Sequence, residues 1–173
     1  GQATGVQLAG FSNLGLDSVK GTQIAGLVNF NWSSAQKFSA VGLINFTHGD
    51  SYGAHLAGLG NMTLGSQNGA HLAGLFNFST TDVRSFQGSG IVNFAVGTVS
   101  GAQVSLMNYG GKEIHGVQFA GLVNLAPRKI KGLQLAGLLN YATNVQGLQM
   151  GLINIADSVK GIQVGLFSFF VKG

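Results

Sequence analysis

Residues 116–141 read GVQFAGLVNLAPRKIKGLQLAGLLNY, two successive copies of one unit. Gly116-Val117-Gln118-Phe119-Ala120-Gly121-Leu122-Val123-Asn124 is matched position by position by Gly132-Leu133-Gln134-Leu135-Ala136-Gly137-Leu138-Leu139-Asn140. Toward the N-terminus the unit recurs as GVQLAGFSN (5–13), GTQIAGLVN (21–29), GAHLAGLGN (53–61) and GAHLAGLFN (69–77). GAQVSLMN (101–108), GLQMGLIN (147–154) and GIQVGLFS (161–168) repeat it one residue shorter. Aligned on the closing amide, the chain gives Asn13, Asn29, Asn45, Asn61, Asn77, Asn93, Asn108, Asn124, Asn140 and Asn154, with Ser168 in the next place. The spacing is 16 residues five times running, then 15, 16, 16, 14 and 14. A period this regular means one structural unit repeated, so residues 1–173 are read as a single repeat domain.

The aligned units define columns. A polar column precedes each Asn: Gln7, Gln23, Gln87, Gln103, Gln118, Gln134, Gln149 and Gln163, with Ala40, His55 and His71 read as its members in the third to fifth units. A Leu column stands two before the Asn, as in Leu27, Leu59, Leu122 and Leu138, and a large apolar column just after it, including Phe30, Phe46, Phe78 and Phe94. Segments this short and Gly-rich, with local alternation, suit strands rather than helices.

Composition narrows the class. Only 8% of the 173 residues are charged, 45% are apolar and 29 are Gly. The chain is too apolar and too weakly charged for disorder, and no long apolar run is free of Gly, Asn or Gln, which excludes a membrane-spanning helix. Without Cys there is neither a disulfide nor a thiolate metal site. The opening at Gly1-Gln2 is the start expected of a mature or trimmed product.

Two β architectures fit the period. In an antiparallel barrel alternate turns lie at opposite ends and should differ; here every unit has the same Gly start and the same Asn end. Parallel in-register stacking needs that identity, and it lets stacked Asn and Gln pass amide hydrogen bonds from coil to coil. The sequence therefore predicts an all-β fold, a parallel β-solenoid of about eleven coils with a period near 16 residues. The membrane-embedded β-barrel or pore stands as the alternative, favoured by the low charge and opposed by the identical turns.

The tandem Gly-x-Gln-φ-Ala-Gly-Leu-φ-Asn units, φ being apolar, resemble a family of bacterial surface-repeat proteins. The likeness covers nearly the whole chain. It implies a cell-envelope location, at the outer-membrane surface or extracellular, and a structural or binding role, and it brings no catalytic residues with it. Phe38-Ser39-Ala40 and Ser85-Phe86-Gln87-Gly88 depart from the pattern, so distortion is expected in the third and sixth coils.

Little in the sequence points to catalysis. The five acids, Asp17, Asp50, Asp82, Glu113 and Asp157, lie in loops and form no cluster of the kind that acid-base or metal chemistry uses. Calcium-binding repeats need Asp in every turn, and no phosphate-binding glycine motif occurs. His55 and His71 occupy the Gln column in consecutive coils, but two ligands without a third make a thin metal site, and polar stacking in place of Gln is the expectation. Of the sequons at Asn31, Asn45, Asn61 and Asn77, the last three use the repeat Asn, so ladder geometry rather than glycosylation is the expectation. Neither an enzyme nor a cofactor is expected.

What remains is surface. Lys20, Lys37, Arg84, Lys131 and Lys160, joined by His115, are read as one column just before the unit start, an edge of positive charge on a chain of net charge +4. Such an edge keeps neighbouring strands apart, and it offers contact to lipid or acidic glycan; nucleic acid is unlikely, since no aromatic platform interleaves with it. Alternation places Val28 with Phe30 on one face of the strand and Leu27 with Asn29 on the other. Either a bend near the Asn turns the second set inward, or a long apolar stripe including Phe30, Phe46, Phe78 and Phe94 faces outward. The termini, Gly1-Gln2-Ala3-Thr4 and Phe169-Phe170-Val171-Lys172-Gly173, look like no polar cap. The expected function is a non-enzymatic structural or protein-interaction module, a rigid rod that docks on a protein of the cell envelope or self-associates.

Overall fold

The computed structural model describes residues 3–172, so the expectations for Gly1, Gln2 and Gly173 lie outside the described residues. Among the described residues all regular structure is β, and every strand pairs in parallel with its own copy one coil along. The fold is a parallel β-solenoid with the 16-residue period read from the sequence. Antiparallel neighbours, which a membrane barrel requires, do not occur among the described strands.

One coil shows why the unit folds as it does. Val19–Ala25 is a seven-residue strand whose alternate residues are buried, and Val28–Asn31 is a four-residue strand doing the same. Between them Gly26-Leu27 makes a tight corner; Trp32-Ser33-Ser34 makes the opposite, polar corner. Inward go Val19, Gln23, Ala25, Asn29 and Asn31. Such small side chains leave an interior one layer deep; from the sixth coil onward its part nearest the polar corner is an apolar cluster of Val83, Ala95, Val99, Ile114, Ala126, Ile130, Ala142, Val145 and Ala156, beside buried Gln and Asn. At about 4.8 Å per step the stack is on the order of 50 Å long.

Changes of unit length fall at corners, where strand register is unaffected. Ser105-Leu106-Met107 makes its corner with one residue fewer than its predecessor, yet Asn93 still faces Asn108 and Gln103 still faces Gln118. The shorter last units likewise keep Asn140 opposite Asn154 and Gln149 opposite Gln163.

Glycine at the start of the unit lies inside the long strand rather than in a turn, and its role is steric. At Gly132, φ is 138° and a Cβ would stand 2.0 Å from the carbonyl oxygen of Gly116 in the coil before. Two units lack it. Lys37 (φ 83°) and Ser85 (φ 128°) hold the glycine conformation with a side chain attached. Next to Lys37 the ladder to the following coil is interrupted, pairing resuming only at Phe38 with Ala54. The sixth coil keeps continuous register. Gly132→Ala is expected to cost about 3 kcal/mol or more, from backbone strain and overpacking together. Lys37→Gly is expected to raise stability by about 1 kcal/mol by relieving strain. Urea midpoints check both, and a Gly132→Ala chain as stable as its parent would show that the column is not close-packed.

Candidate functional site: a polar interior and an uncharged outer face

The ten Asn side chains form one continuous buried ladder. Each Nδ2 donates to Oδ1 of the next Asn, from Asn13 to Asn29 at 3.0 Å through to Asn140 and Asn154 at 2.9 Å. The same amide also ties strands together: Asn77 Nδ2 donates to the carbonyl of His71 in its own coil and of Gly88 in the next. The Gln column runs the other way. Nε2 of Gln23 donates back to Gln7, and those of Gln103, Gln118, Gln134, Gln149 and Gln163 each donate to the preceding Gln.

The third coil needs a correction. Ser39, not Ala40, faces Gln23 and His55, and its hydroxyl accepts from Asn29 and donates to Asn45. The third to fifth coils thus carry Ser39, His55 and His71 where amides stand elsewhere. Two residues that sequence reasoning passed over close the gap. Asn31 Nδ2 donates to Gln23 Oε1, filling the acceptor that a third Gln would have filled. Gln67, in a column otherwise rich in Val and Ile, accepts from Gln87 Nε2. Their only signal in the sequence is that each is a polar residue in a column of small or branched ones.

His55 and His71 stack face to face, centroids 4.6 Å apart and planes within 7°. His55 Nε2 reaches the Tyr52 carbonyl and His71 Nε2 the Ser51 hydroxyl, so the two nitrogens engage different partners. Burial holds His55 down at about 4 and pushes His71 well below the ordinary imidazole value, with the charge on His55 opposing protonation of its neighbour. Among the described residues no three His, Cys, Asp or Glu side chains gather as a metal site. The sequon residues Asn31, Asn45, Asn61 and Asn77 are buried, which puts their amides out of reach of a glycosylating enzyme.

The outside divides sharply. Leu27 lies at the corner and Asn29 inside, so the strand alternation does not carry through Ala25-Gly26-Leu27, and these two do not share a face. No bend turns Phe30, Phe46, Phe78 and Phe94 inward. They line the outer side of the short strands, where Phe30 stacks on Phe46 at 4.8 Å and Phe78 on Phe94 at 5.4 Å, with Met62 between the two pairs. Around the coil five adjacent outward columns are apolar: those of Thr22, Ile24, Leu27, Val28 and Phe30 in the second coil. Along the rod they contain no charged residue at all. The corner column is typical, with Leu75 42% and Ile91 47% exposed.

Among the described residues every charge but Lys37 lies in the polar corner or immediately beside it. Asp50 and Asp82 fasten that corner, each accepting from a backbone N–H one coil along, at Ser66 and Thr98. The basic column is also corrected. Lys20, Arg84, His115, Lys131 and Lys160 share it, whereas Lys37 occupies the glycine column opposite Gly21, with Gln36 standing where a base was expected. Arg84 lies 3.8 Å from Asp82, and His115 bonds Glu113 at 2.8 Å. Lys20, Lys131 and Lys160 border the apolar face on its long-strand side. Compared with known protein families, with curated proteins and with solved structures, the chain matches none.

Proposed function

We propose that this chain is a non-enzymatic interaction module of the bacterial cell envelope, a rigid β-solenoid whose outer face is covered by a partner while it works. One observation carries the reading: five neighbouring outward columns, running the length of the rod, hold no charge. Isolated exposed apolar residues are ordinary on any protein, but a contiguous face of this extent is characteristic of a contact surface. The envelope setting rests on the family resemblance of the repeat unit. The rod contributes stiffness, since each coil is fastened to the next by backbone pairing and by at least one buried side-chain bond, and it contributes a constant chemical surface repeated at each step.

Replacing Phe46 and Phe78 together by Asp tests this. Because the rings lie on the outer face, the double variant is expected to keep its β circular dichroism and to lose association with whatever covers the parent, including other copies, as read by light scattering. A variant that stays folded and associates as the parent does would overturn the proposal.

A further inference from the structure

We infer that the partner of this face is an anionic lipid bilayer, on which the rod lies lengthwise with its Leu corner immersed among the acyl chains and its polar corner in water. The inference rests on the interaction-module reading above and names the partner. Three features of the surface select lipid over a second copy of the chain.

The first is shape. The apolar columns do not form one flat face; they wrap the long-strand side, the Gly-Leu corner and the short-strand side. A flat partner covers one of these, whereas a fluid bilayer surrounds the corner on both flanks. The second is the separation of charge. A helix lying in the membrane interface has an apolar sector and a polar sector with Lys and Arg, and buries the former by about 5–10 Å. This solenoid has the same section, with Leu59, Leu75, Ile91 and Leu106 at the apolar apex and the charges toward the opposite corner, Lys37 alone standing in the glycine column beside the apolar face. The third is the nature of the two borders. On the long-strand side Lys20, Arg84, Lys131 and Lys160 stand beside the apolar columns with stems that can lie along them and charged heads at phosphate level. On the short-strand side stands Trp32, 55% exposed and stacked on His48 at 4.7 Å. Trp is the residue that favours the headgroup boundary. Of the acids, Asp50 and Asp82 are bonded to backbone, and where acids approach this border they pair with its bases, Asp82 with Arg84 and Glu113 with His115, leaving Lys20, Lys131 and Lys160 to meet phosphate.

Trp32 is the only Trp in the chain, so its emission reports the encounter without a label. The full chain is mixed with phosphatidylcholine vesicles and with vesicles containing phosphatidylglycerol as well. Co-sedimentation with the anionic vesicles, a blue shift of Trp32 and its quenching by lipids brominated high on the acyl chain are expected. Leu59→Asp, Leu75→Asp and Leu106→Asp combined should lower the bound fraction by about tenfold or more, with circular dichroism unchanged. Lys20→Gln, Arg84→Gln, Lys131→Gln and Lys160→Gln combined should remove the preference for anionic lipid. If the Leu variant fails to fold, the brominated-lipid measurement on the unaltered chain decides alone. Absence of the chain from both vesicle pellets would overturn the inference. If it then proves oligomeric through the same face, the interaction-module reading stands with a protein partner; a monomer that ignores both vesicles would defeat that reading too.

Discussion

Acidification from about pH 7.5 to about pH 5 is expected to remove on the order of 4 kcal/mol of folding stability, through two imidazoles. In the unfolded chain both rings titrate near 6.5, while in the fold burial keeps His55 at about 4 and His71 well below its ordinary value. Between those values the unfolded state binds more protons, so stability is whole above about pH 6.5 and falls as the pH drops below it. The slope is about 1.4 kcal/mol per pH unit for each ring, and for His55 the loss levels off near pH 4, where the folded ring takes its proton too. Stopping at about pH 5 keeps the carboxylates out of the measurement. Urea midpoints at the two values check the expectation in the parent and in a His55→Gln, His71→Gln variant. Gln is the residue this column carries in most coils, so the variant should fold and its midpoint should be nearly independent of pH over that range. A parent midpoint that does not move would mean that water or a proton reaches the rings in the folded state.

The second large effect concerns a single amide. Asn77→Leu is expected to cost on the order of 4 kcal/mol or more, because it breaks four buried hydrogen bonds and supplies no substitute. The carbonyls of His71 and Gly88 and Oδ1 of Asn93 lose a donor, and Asn61 Nδ2 loses one of its three acceptors. Each buried group left alone costs about 1 to 3 kcal/mol. Asn77→Ser would keep a donor too short to reach all three acceptors and should fall between. Urea unfolding of the three chains measures this; a Leu variant within about 1 kcal/mol of the parent would show that the ladder is not a source of stability.

The Asn ladder was legible because a buried amide at a fixed period has one economical way to find partners, its own copy one coil along. The parallel sense of the sheet followed from the same identity of every corner. The outward course of Leu27 was not legible, since period-two alternation holds along a strand and fails across a Gly corner where the dihedrals change. Side-chain volume was the better guide to which residues lie inside: an interior one layer deep that already holds an Asn and a second polar side chain beside it, such as Gln23 or Ser39, has no room for Phe30 or Phe46. Lys37 was misplaced by following charge rather than distance, for counting eight residues back from Asn45, as from Asn29 to Gly21, reaches the glycine column. Asn31 and Gln67 were invisible as partners because their purpose depends on which Gln residues are missing nearby, a three-dimensional fact.

The opposite sense of the two amide ladders has a bearing on length. In an α-helix the peptide dipoles add, and the ends carry about half a charge of each sign. In this rod the Asn amides hand their hydrogens toward one end and the Gln amides toward the other. Each complete coil therefore contributes two side-chain dipoles that oppose one another, and the backbone of a sheet adds little. The field at the tips does not grow as units accumulate. Duplication or loss of a whole unit leaves the electrostatics of the remainder as they were, so a lineage of such chains is free to set its reach by counting repeats.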